Sequence, residues 1–99
     1  MEKKDLPPLH PGEVLLEEFL KPLELSQHRL AMSMRVSPQK INDIVCGKRG
    51  ITADTALRLS IALGTSAEFW MGLQSDYELQ TALDALGERL EKEVVRLGG

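Results

Sequence analysis

Apolar residues recur every three or four positions along most of the chain, and this spacing constrains the fold more than any other feature. The pattern extends from Val14 to Leu97. Such spacing places apolar side chains on one face of an α-helix, whereas a half-buried strand needs strict alternation. The sequence has no alternating run of β-branched residues, no Asn-Gly hairpin signal and no internal repeat. We therefore predict an all-α fold of five to six helices.

Residues that start and stop helices divide this pattern into segments. Pro11 and Gly12 precede the first segment, and Pro22 ends it. Serine and threonine side chains accept hydrogen bonds from N–H groups in the first turn of a helix, so they mark the later starts. The predicted N-caps are Ser26, Ser37, Thr52 and either Thr65 or Ser66, and the predicted ends of the third and fourth helices are Gly47 and Gly64.

The chain has 99 residues, which suits a single domain with short extensions. Residues 1–11 hold three of the five prolines and are predicted to form an extended N-terminal arm. Residues 12–78 are predicted to form the domain, and residues 79–99 a C-terminal helix with an apolar stripe. That stripe is either a dimer seam or a face that folds back on its own domain. Because a chain this short has a thin core, we expect a homodimer.

An apolar group in the fifth helix is predicted to belong to the core. Phe69, Trp70 and Met71 in the fifth helix are more typical of a core than of a ligand pocket, because aromatic residues are only 4% of the chain. The apolar positions of the fourth helix are Ala56, Leu57, Leu59, Ile61, Ala62 and Leu63.

The composition argues against several classes of function. No apolar run approaches the roughly 20 residues that cross a bilayer, so we expect a cytoplasmic protein with no membrane association. His10 and His28 stand apart from clustered cysteines and acids, so we expect no metal site, catalytic site or cofactor. Cys46 is the only cysteine and cannot form an intrachain disulfide. It is either a small residue near the end of a helix or a redox-sensitive thiol beside Lys48 and Arg49.

Charge is distributed unevenly along the chain, although the net charge is only −3. Residues 25–50 carry five basic residues against one acid, a net charge of +4. Residues 1–24 have a net charge of −3 and residues 51–99 a net charge of −4. The basic segment could therefore face a phosphate backbone, while the acidic flanks face a different, basic partner.

The basic segment also has the pattern of a helix-turn-helix. That motif needs a small residue where two helices touch, apolar inward faces and a tight turn. Ala31 is the small residue, four positions after Gln27. The inward apolar residues are Leu30, Met34, Val36, Ile41 and Ile44. The alternative is a generic helical hairpin with a solvated polar face, and the confined basic charge favours the helix-turn-helix.

The second helix of this motif carries polar side chains that can read base edges. Gln and Asn pair with adenine, Lys donates to guanine and Asp accepts from cytosine. The candidate base-reading residues are Ser37, Gln39, Lys40, Asn42 and Asp43. The candidate phosphate-binding residues, at the start of the preceding helix and just past the recognition helix, are Ser26, Gln27, Lys48 and Arg49.

The sequence resembles a known family. Residues 25–50 resemble the lambda-repressor-type (Xre) helix-turn-helix. The flanks are similar to the HigA (VapI) antitoxins of bacterial toxin–antitoxin modules, and the resemblance covers residues 9–80. The phrases that carry it are HPGEVL at 10–15, GITADTALRL at 50–59, LGTSAEFW at 63–70 and LQSDY at 73–77.

The resemblance implies a homodimer that binds a palindromic operator in its own promoter and neutralises a HigB-type toxin, a small basic ribonuclease that cleaves mRNA. A stand-alone transcriptional regulator without a toxin is the main alternative. A small hydrolase or nuclease is a third hypothesis, but the sequence has no nucleophile with a matched base and no phosphate loop.

Three residues depart from the pattern of the family. Arg35 stands where the family's turn usually has glycine, so we expect a non-glycine residue at positive φ. Cys46 replaces a polar residue that often contacts phosphate. Pro38 takes a position often used for base reading, which shifts that role to Gln39 and Lys40. The DNA sequence that relatives recognise therefore does not predict the sequence that this chain recognises.

Overall fold

A computed structural model describes residues 7–98, and this part of the chain contains five helices and no strand. The all-α prediction is confirmed. The elements are α1 (Pro11–Val14), which continues as a π-helical segment, π1 (Leu15–Leu20), and then α2 (Gln27–Met34), α3 (Pro38–Val45), α4 (Ala53–Leu63) and α5 (Ala67–Glu93). Residues 1–6 of the predicted arm lie outside the described part, and residues 7–10 are not helical.

The caps form as the sequence predicts because each depends on a local hydrogen bond. Four hydroxyl groups accept from backbone N–H groups three residues later. These are Ser26 from Arg29 at 3.0 Å, Ser37 from Lys40 at 3.2 Å, Thr52 from Thr55 at 3.3 Å and Ser66 from Phe69 at 3.0 Å. Helix α4 ends at Gly64, with φ 74°, as predicted.

The end of the chain differs from the prediction. The expected separate helix at 79–99 is the outer part of α5, which runs without a break from Ala67 to Glu93. No glycine or proline interrupts the apolar period around Tyr77, so the preceding helix simply continues. The alternative in which the last stretch folds back on the domain is therefore wrong. The helix ends before Val94, and Leu97 beyond it is 93% exposed.

The first helix also contains a feature that the apolar spacing did not predict. In π1 the Lys21 N–H donates to the Leu16 carbonyl oxygen at 3.0 Å, five residues earlier, which widens the turn. Leu15 and Leu20 remain buried on its inner side. None of the helices within residues 7–98 combines the length and apolarity needed to span a membrane.

The core centres on Trp70, which is fully buried and lies with its ring 5.3 Å from that of Phe19. Four apolar residues on α4 and α5 lie outside this core. Leu57 and Ile61 are 57% and 85% exposed, because α4 turns Thr55, Ala56 and Leu59 inward and the two residues occupy the opposite face. Phe69 and Met71 are also exposed, so their predicted place in the core is wrong; the helical period buries Trp70 between them. The buried apolar residues are Leu15, Leu20, Leu30, Ala31, Met34, Ile41, Ile44, Ile51, Ala56, Leu59 and Trp70.

Candidate DNA-binding surface

Helices α2 and α3 form a helix-turn-helix around the small residue Ala31, which is fully buried. The turn begins at Arg35, whose φ of 58° and ψ of 45° confirm the predicted positive φ. Its N–H and that of Val36 donate to carbonyl groups at the end of α2. Ile41 and Ile44 on α3 are fully buried, so the opposite face of α3 is turned outward.

A cation from α4 stabilises the end of α2. The Arg58 guanidinium donates to the Met34 carbonyl oxygen at 2.8 Å and also to Asp54 at 3.0 Å. The last carbonyl groups of a helix carry partial negative charge and favour a cation. This contact fixes α2, and therefore the turn into α3, against the rest of the domain.

The structure brings the candidate base-reading residues together on α3. Ser37 caps the helix, Gln39 and Asn42 are exposed, and Lys40 and Asp43 are half-buried. The Gln39 amide donates to Asp43 Oδ1 at 2.8 Å. Helix α3 therefore presents these polar groups in a partly ordered array before any ligand is bound.

Asp43 contacts groups on both sides of the array. Its Oδ2 lies 3.8 Å from the Arg49 guanidinium, while its Oδ1 accepts from Gln39. Its backbone carbonyl accepts from the N–H groups of Lys48 and Arg49 at 2.8 and 3.2 Å. Asp43 thus links a candidate base-reading residue to the candidate phosphate-binding loop.

The candidate phosphate-binding residues precede and follow α3 in the chain, and both groups contact it. Ser26 and Gln27 are at the N-terminus of α2, where the helix dipole favours an anion. The Gln27 Oε1 accepts a hydrogen bond from Asn42 at 3.1 Å. Lys48 and Arg49 are exposed in the loop that follows α3.

His10 has a structural role that the sequence reasoning missed by assigning it to the arm. It is 7% exposed, and its Nδ1 accepts from the Gly12 N–H at 2.9 Å, which makes it the N-cap of α1. Its ring lies edge-on to Tyr77 of α5, with 4.8 Å between centroids. Burial lowers the pKa of His10 below its ordinary value, and the nearby Glu13 carboxylate opposes this shift. The proline that follows it at the first helical position was the available signal.

Gln74 was also missed, because one polar residue on a helix has no distinctive spacing. Gln74 is 8% exposed, and its Oε1 accepts from the Ile51 N–H at 2.7 Å. This bond joins α5 to the segment between α3 and α4.

Cys46 is exposed at the C-terminal end of α3, with its Sγ 3.8 Å from Asn42 Oδ1. Both interpretations of this thiol stay open. Within residues 7–98, no group of three His, Cys, Asp or Glu side chains is arranged to hold a metal ion.

Comparison with known proteins identifies the family. A family model described as helix-turn-helix matches residues 16–70. Virulence-associated protein I of Dichelobacter nodosus is 52% identical over 80 residues, which are 81% of this chain and 74% of that protein. A solved structure of the Pseudomonas aeruginosa antitoxin HigA with the higBA promoter is 49% identical, with a TM-score of 0.88 over 91% of this chain and 98% of that one.

A second solved structure, the antitoxin GraA in complex with its operator, has a TM-score of 0.91 and is 40% identical, covering all of both chains. The match therefore includes the long helix α5 as well as the helix-turn-helix. The chain belongs to the helix-turn-helix family and, within it, to the HigA antitoxins.

Proposed function

We propose that this protein is the antitoxin of a toxin–antitoxin module and that it also represses its own operon. In this account a homodimer binds a palindromic operator through two α3 helices and neutralises a HigB-type mRNA-cleaving toxin. The observation that carries the DNA-binding half is the ordered polar face of α3 beside the basic loop. Relatives of the same fold are described with promoter or operator DNA, which supports the same function here.

Base reading falls to the outward face of α3. Gln39 and Asn42 each present an amide that can pair with both edge groups of adenine, and Lys40 can donate to guanine. Ser37, at the start of the helix, is a further candidate. Asp43 would accept from a cytosine amino group by exchanging its contact with Gln39.

The proposed phosphate contacts come from residues before and after α3 in the chain. The N-terminus of α2, with Ser26 and Gln27, faces one part of the backbone, and Lys48 and Arg49 face another. Such contacts set the position of α3 in the groove but carry no sequence information. The two pairs therefore supply affinity and orientation.

The homodimer is proposed to form through the outer half of α5. Leu79 is 68% exposed, and four leucines recur there at helical spacing: Leu79, Leu83, Leu86 and Leu90. The molecule measures 52 × 25 × 20 Å, as expected where α5 extends beyond the compact domain. Packing two α5 helices together would bury the stripe. Binding to successive major grooves then requires the two α3 helices to lie about 34 Å apart, one turn of the DNA helix.

The toxin is proposed to meet an acidic surface. Glu17 and Glu18 are exposed on π1, and the segment after residue 50 carries a further net charge of −4. Complementary charge speeds association with a basic partner and excludes acidic ones. Both proposed partners, operator DNA and an mRNA-cleaving toxin, place the function in the bacterial cytoplasm.

Growth of a bacterial host tests the antitoxin half. The short reading frame next to this gene is induced alone, together with this chain, and together with an unrelated helix-turn-helix protein at the same level. We expect growth arrest in the first and third cultures and growth in the second. No arrest, or arrest that persists with this chain, would leave a stand-alone transcriptional regulator as the function.

A further inference from the structure

The buried amide of Gln74 contacts the C-terminal end of the candidate phosphate-binding loop, residues 47–51. Gln74 lies on α5, and its Oε1 accepts from the Ile51 N–H at 2.7 Å. Its Nε2 donates to Glu78 at 3.2 Å, so both ends of the amide have a partner. Ile51 is itself only 4% exposed, and a buried N–H without an acceptor would be costly.

The same contact leaves no room for a side chain at position 50. A Cβ atom at this position would lie 2.7 to 2.9 Å from the amide atoms of Gln74. Real Cβ atoms do not approach other atoms so closely, so the amide occupies the space that a side chain would need. The absence of a side chain at Gly50 thus allows α5 to reach the loop backbone.

The N-terminal part of the loop forms backbone hydrogen bonds with α3. The Asp43 carbonyl accepts from Lys48 and Arg49, and the Gly47 N–H donates to the Ile44 carbonyl at 3.1 Å. The loop backbone is therefore fixed at α3 by one set of bonds and at α5 by Gln74. The side chains of Lys48 and Arg49 remain exposed between these two anchors.

We propose that Gln74 is a positioning residue for DNA binding, which fixes the loop at residues 47–51 so that Lys48 and Arg49 face the phosphates. This inference rests on the proposed operator binding. Without the anchor the loop would have to be ordered on binding, at a cost in conformational entropy. Because the affected contacts are to phosphates, the loss would be the same for every DNA sequence.

The test compares Gln74→Met with Gln80→Met. Gln80 lies on the same helix and makes the same kind of bond, from its Nε2 to Asp84 at 2.9 Å, but it has no bond to the loop. Binding to the operator and to a scrambled duplex is measured over a range of salt, and amide exchange at Ile51 is followed without DNA. We expect Gln74→Met to weaken binding to both duplexes by about tenfold. Its Ile51 amide should exchange faster and its salt dependence should be shallower, while Gln80→Met matches the wild type.

An exchange variant separates positioning from folding. In Gln74→Glu with Glu78→Gln, an acceptor remains for Ile51, a donor and acceptor still pair along α5, and the net charge is unchanged. We expect this variant to regain wild-type binding within about threefold. A folded Gln74→Met protein that binds like the wild type, or one that loses only operator binding, would overturn the proposal. Failure of the wild type to prefer its operator would instead count against the proposed function, since Ile51 exchange tests the anchor without DNA.

Discussion

The Asn42 Nδ2 donates a hydrogen bond to Gln27 Oε1 over 3.1 Å, which joins the exposed face of α3 to the first residue of α2. One of these side chains is a candidate base reader and the other a candidate phosphate ligand. Their bond gives each a defined orientation before DNA is bound. The orientation of the candidate base reader therefore depends on that of the candidate phosphate ligand in the free protein.

This coupling predicts that the two residues act as a unit. Gln27→Ala and Asn42→Ala should each weaken operator binding, and the double variant should lose less than the sum of the single losses by about 1 kcal/mol. Fluorescence anisotropy titrations of the four proteins complete the double-mutant cycle. Strictly additive losses would show that the bond has no role in recognition.

Arg49→Ala is predicted to weaken binding to all DNA sequences alike. We expect the exposed guanidinium near Asp43 to contact a phosphate. The plot of log K against log salt has a negative slope, and loss of one such contact reduces the magnitude of that slope by about 1. Arg89→Ala is the control, because Arg89 is equally a surface cation but pairs with Glu93 near the end of α5. An unchanged salt slope for Arg49→Ala would remove this residue from the interface.

His10 predicts a loss of stability in mild acid. Its pKa is lowered by burial in the folded protein, so the unfolded chain binds a proton more readily. The stability it contributes is present above the unfolded pKa of about 6.5 and is lost as pH falls towards the folded value.

The variant His10→Asn tests this assignment, because asparagine can cap a helix without titrating there. The fall in Tm between pH 7.5 and 5.5 should be smaller in His10→Asn than in the wild type, while the exposed control His28→Asn should keep the wild-type fall. The same fall in all three proteins would exclude His10 as the titrating group.

Gly12 and Gly72 are predicted to respond in opposite ways to alanine. A Cβ at Gly12 would overlap the Ile44 carbonyl oxygen, so Gly12→Ala should destabilise the fold by about 2 kcal/mol or more by pushing α1 from α3. Gly72 lies in α5 with open space around it, and alanine there should stabilise the helix by about 0.5–1 kcal/mol. Urea unfolding measures both changes, and similar values for the two variants would contradict this packing.

Local signals account for what the sequence predicted well. The caps at Ser26, Ser37 and Thr52 each need only one hydroxyl and an N–H three residues later. The positive φ of Arg35 was expected instead from the resemblance to the family, whose turn usually has glycine at this position. The grouping of polar residues on α3 followed from the helical period, because its buried face is strongly apolar.

Contacts between distant parts of the chain account for what was missed. The bond from Gln74 to Ile51 spans 23 residues and depends on how α5 packs, which a period cannot reveal. The exposed positions of Leu57 and Ile61 likewise depend on which of two apolar faces of α4 meets the core. The continuity of α5 is the exception, because it follows from a local feature, the absence of a glycine or proline stop around Tyr77.

The most direct test of the account is the affinity of the purified chain for its own promoter and for a scrambled duplex at one salt concentration. We predict that the promoter binds at least about 10³-fold more tightly. In parallel, Gln39→Ala should lose about 1–3 kcal/mol on the promoter and nothing on the scrambled duplex. Equal affinity of the wild type for the two duplexes would contradict the claim that α3 reads DNA sequence.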